Sequence, residues 1–182
     1  MIDRSHRLPP PPREEELTPE QRRAVEVIAS GPRGALIGPF APLLRSPELM
    51  TRLQKVGEFL RFESTLPPAV LELAILLVAR RWNQGFEWAF HRPLALRAGI
   101  TADVVDAVAV GRRPDDLPAR LAVTWDLVDE LQRTGEVGDA TYERAHGELG
   151  ETVLVELVTT VGYYTTLAMI MNVAGTPAPE EG

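Results

Sequence analysis

The chain has 182 residues and no cysteine. Disulfides, thiolate metal sites and cysteine redox catalysis are therefore excluded for it. Histidine is scarce, at three residues, and aromatic residues make up 6%. An excess of positive charge is missing too. The net charge is −7, which argues against non-specific nucleic-acid binding and leaves room for a basic pocket within an acidic protein. No run of apolar residues approaches a membrane span. The most apolar stretch, LELAILLVA, has nine residues and contains Glu72. The opening MIDRSHRLPPPPREEELTPEQ is polar and proline-rich, without the apolar core of a signal peptide. The expectation is a cytoplasmic protein with neither nucleic acid nor membrane as partner. Period-two alternation is absent, so no strand is predicted. The glycines of residues 31–44 are not followed by the lysine of a phosphate loop, and no Gly-x-Ser-x-Gly elbow occurs.

What is present suits one domain with a sizeable core, since hydrophobic residues make up 45% and charged residues 25%. Residues 1–16 read as an extended arm, because Pro9 to Pro12 favour polyproline II. Thr18, Pro19 and Gln21 form a helix start with a capping box, predicting a helix to about residue 30. Residues 31–44 read as an apolar loop that packs on the core or a partner. Helices follow over residues 46–62, from residue 66 through the apolar stretch, 82–98 closed by Gly99, 101–110, 118–133, 139–149 and 151–173, with Asp139 as a cap. Residues 176–182 read as a frayed polar tail. The predicted fold is all-α, a single-domain helical bundle of about seven or eight helices over residues 17–175. The helix from residue 66 and the last helix are apolar on most faces, which suits a central helix or an oligomer interface. A homo-oligomer is expected.

The chemistry concentrates in LELAILLVARRWNQGFEWAFHRPLALRAGI, residues 71–100. In a helix, Gln84, Glu87 and His91 share one face. His91 exchanges protons near neutral pH, and Glu87 one turn earlier can orient the ring and raise its pKa. Glu72 lies among leucines, where a carboxylate is costly to bury unless paired or protonated. Its possible partners are Arg80, Arg81, Arg92 and His91. Trp82, Phe86, Trp88 and Phe90 could wall a small planar substrate. A guanidinium could hold its carboxylate, with Arg80 and Arg81 as first candidates and Arg45 and Arg61 behind them. Tyr163 and Tyr164 are further candidates for a pocket lining. Glu72, Glu87 and His91 are too few nitrogen ligands to suggest a metal, and Glu143-x-x-His146 falls in a charged helix expected to be exposed. The same residues also fit a structural Glu–His pair in a non-catalytic binding or assembly protein.

With its ELAILLVARRW, FEWAFHRPLALRAGI and ELVTTVGYYTTLAMIMNV segments, the chain resembles the carboxymuconolactone decarboxylase family of the alkylhydroperoxidase-D-like superfamily, over roughly residues 18–177. The redox branch of that superfamily carries a glutamate, a Cys-x-x-Cys pair, and a histidine four residues on. Glu72 and His91 match its outer positions, while Gln84 and Glu87 stand where the cysteines would be. The resemblance therefore implies no thiol peroxidase chemistry. The decarboxylase branch is similar in its Glu-x-x-x-His pair, matched by Glu87 and His91. The resemblance implies an all-α fold, trimers or hexamers, a site near a protomer interface, and no metal or organic cofactor. It also implies a lyase acting on a small carboxylated lactone or related organic acid. His91 would carry the proton, Glu87 and Glu72 would assist, and Gln84, Trp82, Trp88, Arg80 and Arg81 would bind substrate. An isomerase or hydrolase on a related molecule is the alternative enzyme reading.

Overall fold

The computed structural model describes residues 7–179. Among these residues the chain forms nine α-helices and a short 3-10 turn, with no strand. The chain divides into two compact units, Met1–Ser64 with Leu167–Pro177, and Thr65–Thr166 with Ala178–Gly182.

In the first unit, α1 (Pro19–Ser30) starts as predicted. Thr18 accepts from the Gln21 backbone N–H, and Gln21 Oε1 accepts from the Thr18 N–H. The expected loop over residues 31–44 contains a one-turn helix, α2 (Phe40–Leu43). Its prolines suggested a break, but Pro39 sits just before the first turn, where a missing N–H costs nothing, and Phe40, Leu43 and Leu44 are buried. Helix α3 (Pro47–Phe62) buries Met50, Gln54 and Leu60. It packs against α1 and α2. Of the N-terminal arm, residues 1–6 lie outside the described residues. Beyond them the arm is held, because the Leu8 N–H donates to Ala174 O and Arg45 donates to Pro9 O. The arm ends in the 3-10 turn Glu14–Glu16.

The second unit is built around α4 (Pro68–Arg81), in which every residue from Val70 to Ala79 is buried. That follows from its sequence, which is apolar on all sides. Around it pack α5 (Gly85–Arg97), α6 (Ala102–Val110) and α7 (Ala119–Thr134), and α8 (Asp139–Leu149) packs on α7. Helix α5 starts three residues later than predicted. Trp82 still donates to Val78 O at the end of α4, Asn83 takes a left-handed φ of 48°, and Gln84 caps α5 by accepting from the Phe86 N–H. Asp139 is the first residue of α8 rather than its cap, and the capping position is Gly138. The expected frayed tail is seated as far as Ala178, whose Cβ would lie 3.1 Å from a Cβ on Gly85.

Helix α9 (Glu151–Ala174) carries residues of both units, those up to Thr166 in the second and those from Leu167 in the first. It corrects the expectation that no segment reaches span length. By length and composition alone, α9 is apolar enough to cross a membrane. No unbroken apolar run marks it, because Glu156 and then Thr159, Thr160, Thr165 and Thr166 interrupt the apolar residues, and only the mean over the helix is high. Glu156 is the one charge of the helix beyond its first residue. That carboxylate accepts from the Thr65 N–H and hydroxyl, so its charge is satisfied within the unit. Leu157, Val161, Leu167, Ala168 and Met171 are buried, as in the core helix of a globular domain.

Candidate active site

The site lies in the second unit, where α5 crosses α4. Glu72 sits on the second turn of α4, among the side chains that form the unit's centre. Glu87 and His91 are one turn apart on the buried face of α5. The His91 ring bridges the two carboxylates. Nδ1 is 2.8 Å from Glu72 Oε2 and Nε2 is 3.3 Å from Glu87 Oε2. His91 is 2% exposed, Glu87 4% and Glu72 6%. Of the four partners considered for Glu72, the structure selects His91.

Burial by itself would lower the His91 pKa. The hydrogen bonds and charges of Glu72 and Glu87 outweigh it, so the imidazole is held above its usual range. A protonated ring satisfies both carboxylates at once, giving one N–H to each. Aromatic edges close the remaining sides, with Phe90 and Tyr164 each T-shaped against His91 at a centroid distance of 5.2 Å. Tyr163 in turn packs edge-on to Tyr164 at 5.3 Å. Tyr163 and Tyr164 are thus part of the buried packing behind the histidine. Among the described residues, no group of three or more histidine, aspartate or glutamate side chains converges as a metal site would require. The trio is strung along the imidazole, with each carboxylate on a different nitrogen.

The residues expected to bind substrate divide between two clefts of the second unit. Arg80, Gln84 and Trp88 line one of about 290 Å³ at the α4–α5 turn, together with Asn83, Gly85 and Ala109. There Arg80 Nε donates to Ala109 O at the C-terminal end of α6, where a cation also complements the helix dipole. Arg81 and Trp82 line a second cleft of about 490 Å³, with Leu131 and Gln132 of α7 and Val158, Val161, Gly162 and Thr165 of α9. Neither cleft is lined by His91, Glu72 or Glu87. Phe86 and Phe90 stack on each other at 6.1 Å instead of lining either cleft. Arg45 and Arg61 belong to the first unit, where Arg45 holds the proline arm and Arg61 lies over the Phe62 ring. The contributions of α7 and α9 to the second cleft were missed. Helical spacing within one segment carries no signal for which distant helix faces it.

Residues 47–129 match the model of the carboxymuconolactone decarboxylase family. The chain is similar to that family over this segment, and it carries no cysteine. The matched segment contains Glu72, Glu87 and His91. A similar solved structure is the alkylhydroperoxidase AhpD core from Ralstonia eutropha, described as an uncharacterized peroxidase-related protein. It is 17% identical, with a TM-score of 0.73, over 93% of this chain and 90% of that one. This likeness establishes the alkylhydroperoxidase-D-like all-α fold. No curated protein sequence matches the chain.

Proposed function

We propose that the chain belongs to the carboxymuconolactone decarboxylase family and is a cofactor-free carbon–carbon lyase acting on a small carboxylated lactone or related organic acid. The observation that carries the reading is the buried imidazole of His91 between two carboxylates, held toward its protonated form. A proton donor near neutral pH is what the second half of a decarboxylation needs. The bond to the carboxylate carbon breaks, carbon dioxide leaves, and the electron pair moves onto the lactone carbonyl as an enolate. The enolate carbon then takes a proton from the relay, and solvent returns one to His91. Glu72 anchors Nδ1 and orients the ring. Glu87 occupies Nε2 and would pass the proton outward. Gln84, one turn before Glu87, lines the cleft at the α4–α5 turn, and this supports that cleft as the substrate's position. Trp88 supplies an apolar wall there. The terminal nitrogens of Arg80 would meet the substrate carboxylate, since its Nε is already committed to Ala109 O.

The absence of cysteine removes thiol peroxidase chemistry from this chain, whatever its structural relatives do. Assembly as a homo-oligomer belongs to the same proposal. It is supported by the apolar side chains that α9 leaves exposed, among them Val155 and Val173 at 65% and 66%. A sedimentation mass of one protomer would count against it. The activity is tested by incubating the protein with pooled small carboxylic acids and lactones and following masses. Loss of carbon dioxide from one component, abolished by His91→Ala in a folded protein, is the expected result. A mass-neutral product would replace the lyase with an isomerase, and full turnover by the variant would remove His91 from the chemistry.

A further inference from the structure

The cleft lined by Arg81 and Trp82 has no part in that reaction, yet it has the features of a binding site. We propose that it binds a small planar hydroxy acid, a carboxylate on an apolar ring that also carries a hydroxyl donor. The assignment does not depend on turnover at His91.

Size comes first. A closed apolar cavity of roughly 150 Å³ holds benzene, and the cleft measures about 490 Å³. It has room for a substituted ring and falls within the range typical of ligand pockets. Its chemistry is mixed in a specific way. Val158 and Val161 make an apolar wall from α9, and the Trp82 indole, 36% exposed, offers a flat face. Arg81 supplies the cation, and among the described residues it makes no ion pair. Its guanidinium therefore matches a carboxylate, which it can hold with two parallel hydrogen bonds. Gln132 supplies the acceptor. Its side-chain oxygen is buried and receives no hydrogen bond, a state that buried polar atoms rarely keep. A turn of the Gln132 side chain toward the cleft would bring Oε1 to a ligand hydroxyl and satisfy it.

The floor of the cleft supports the same conclusion. Gly162 lies in the middle of α9, where glycine weakens a helix, and a Cβ built on it meets no atom within 4 Å. Packing therefore does not demand the glycine. Its effect is to leave open the space over the helix backbone, and a large side chain there would enter the cleft.

The test uses 4-hydroxybenzoate as probe, with 4-hydroxybenzyl alcohol lacking the carboxylate and benzoate lacking the hydroxyl. Titration calorimetry measures affinity. The Trp82 indole N–H resonance, assigned by its loss in Trp82→Phe, reports location. Saturable binding of 4-hydroxybenzoate that shifts this resonance is expected, with each control compound weaker. Arg81→Gln should weaken binding at least about tenfold, the loss of one charge-assisted contact. Gly162→Leu should abolish it while the helical spectrum and melting temperature stay at or above wild type. The proposal is overturned if the folded wild type shows no saturable binding at millimolar probe, if Arg81→Gln binds with wild-type affinity, or if a folded Gly162→Leu still binds. Should Gly162→Leu not fold, Arg81→Gln decides the question on the terms given for it.

Discussion

Two histidines of the second unit sit beside glutamates, and they show how little spacing alone decides. His91 is 2% exposed, lies 2.8 Å from Glu72 and 3.3 Å from Glu87, and is enclosed by Phe90 and Tyr164. His146 has Glu143 three residues before it and Glu151 five after. Its side chain is 41% exposed, its contact to Glu151 is 3.6 Å, and its ring stacks on Tyr142 beside solvent. Both pairs join the same functional groups. Only the first is removed from water, so each charge there depends on the other, whereas water screens the second.

The largest difference should appear in catalysis. His91→Ala should lower turnover of the substrate found by the mass screen by about 10²–10⁴-fold, the usual contribution of a general acid. His146→Ala in the same assay should leave it unchanged. Equal losses would dissolve the contrast. Next in size is stability. Glu72→Ala leaves His91 with one carboxylate in a buried site, and breaking such a pair typically costs about 3–5 kcal/mol. Glu151→Ala should cost no more than about 1 kcal/mol, as for exposed pairs. Urea denaturation of the two variants compares them directly, and similar midpoints would mean that the buried trio is not coupled.

A smaller effect concerns pH. The folded pKa of His91 lies above its unfolded value of about 6.5. Its contribution is thus complete below about pH 6.5 and lost as pH rises through the folded value. The stability gap between wild type and His91→Gln should therefore be widest near pH 6 and shrink toward alkaline pH. A gap that widens instead would mean burial outweighs the carboxylates. The smallest expected effect is that of His146→Ala on stability, within about 0.5 kcal/mol, as for most surface substitutions.

What could be read from the chain follows from the range of each interaction. The capping box of Thr18 and Gln21, the burial of α4, and the pairing of Glu87 with His91 are local and were legible. The Glu72 contact spans nineteen positions between two helices. The sequence marked Glu72 as a costly carboxylate and left its partner among four candidates. The start of α5 was misplaced because Trp82, the one apolar residue between Ala79 and Phe86, closes α4 instead of opening α5, and the left-handed Asn83 separates the two helices. In the sequence Arg80 and Arg81 are equivalent candidates for a substrate carboxylate. Neighbours on a helix point about 100° apart at 3.6 residues per turn, and the two arginines accordingly enter different clefts. Gln132 and Gly162 became visible only once α7 and α9 were placed beside α4.

The central claim is that His91, held between Glu72 and Glu87, stores the proton. NMR titration of the His91 ring nitrogens, with His146 as an internal comparison and His91→Gln for assignment, measures this most directly. The account predicts that His91 titrates above about 6.5, the ordinary imidazole value, with both nitrogens protonated below its midpoint. A His91 that is already neutral at pH 6, with a single protonated nitrogen, would contradict it.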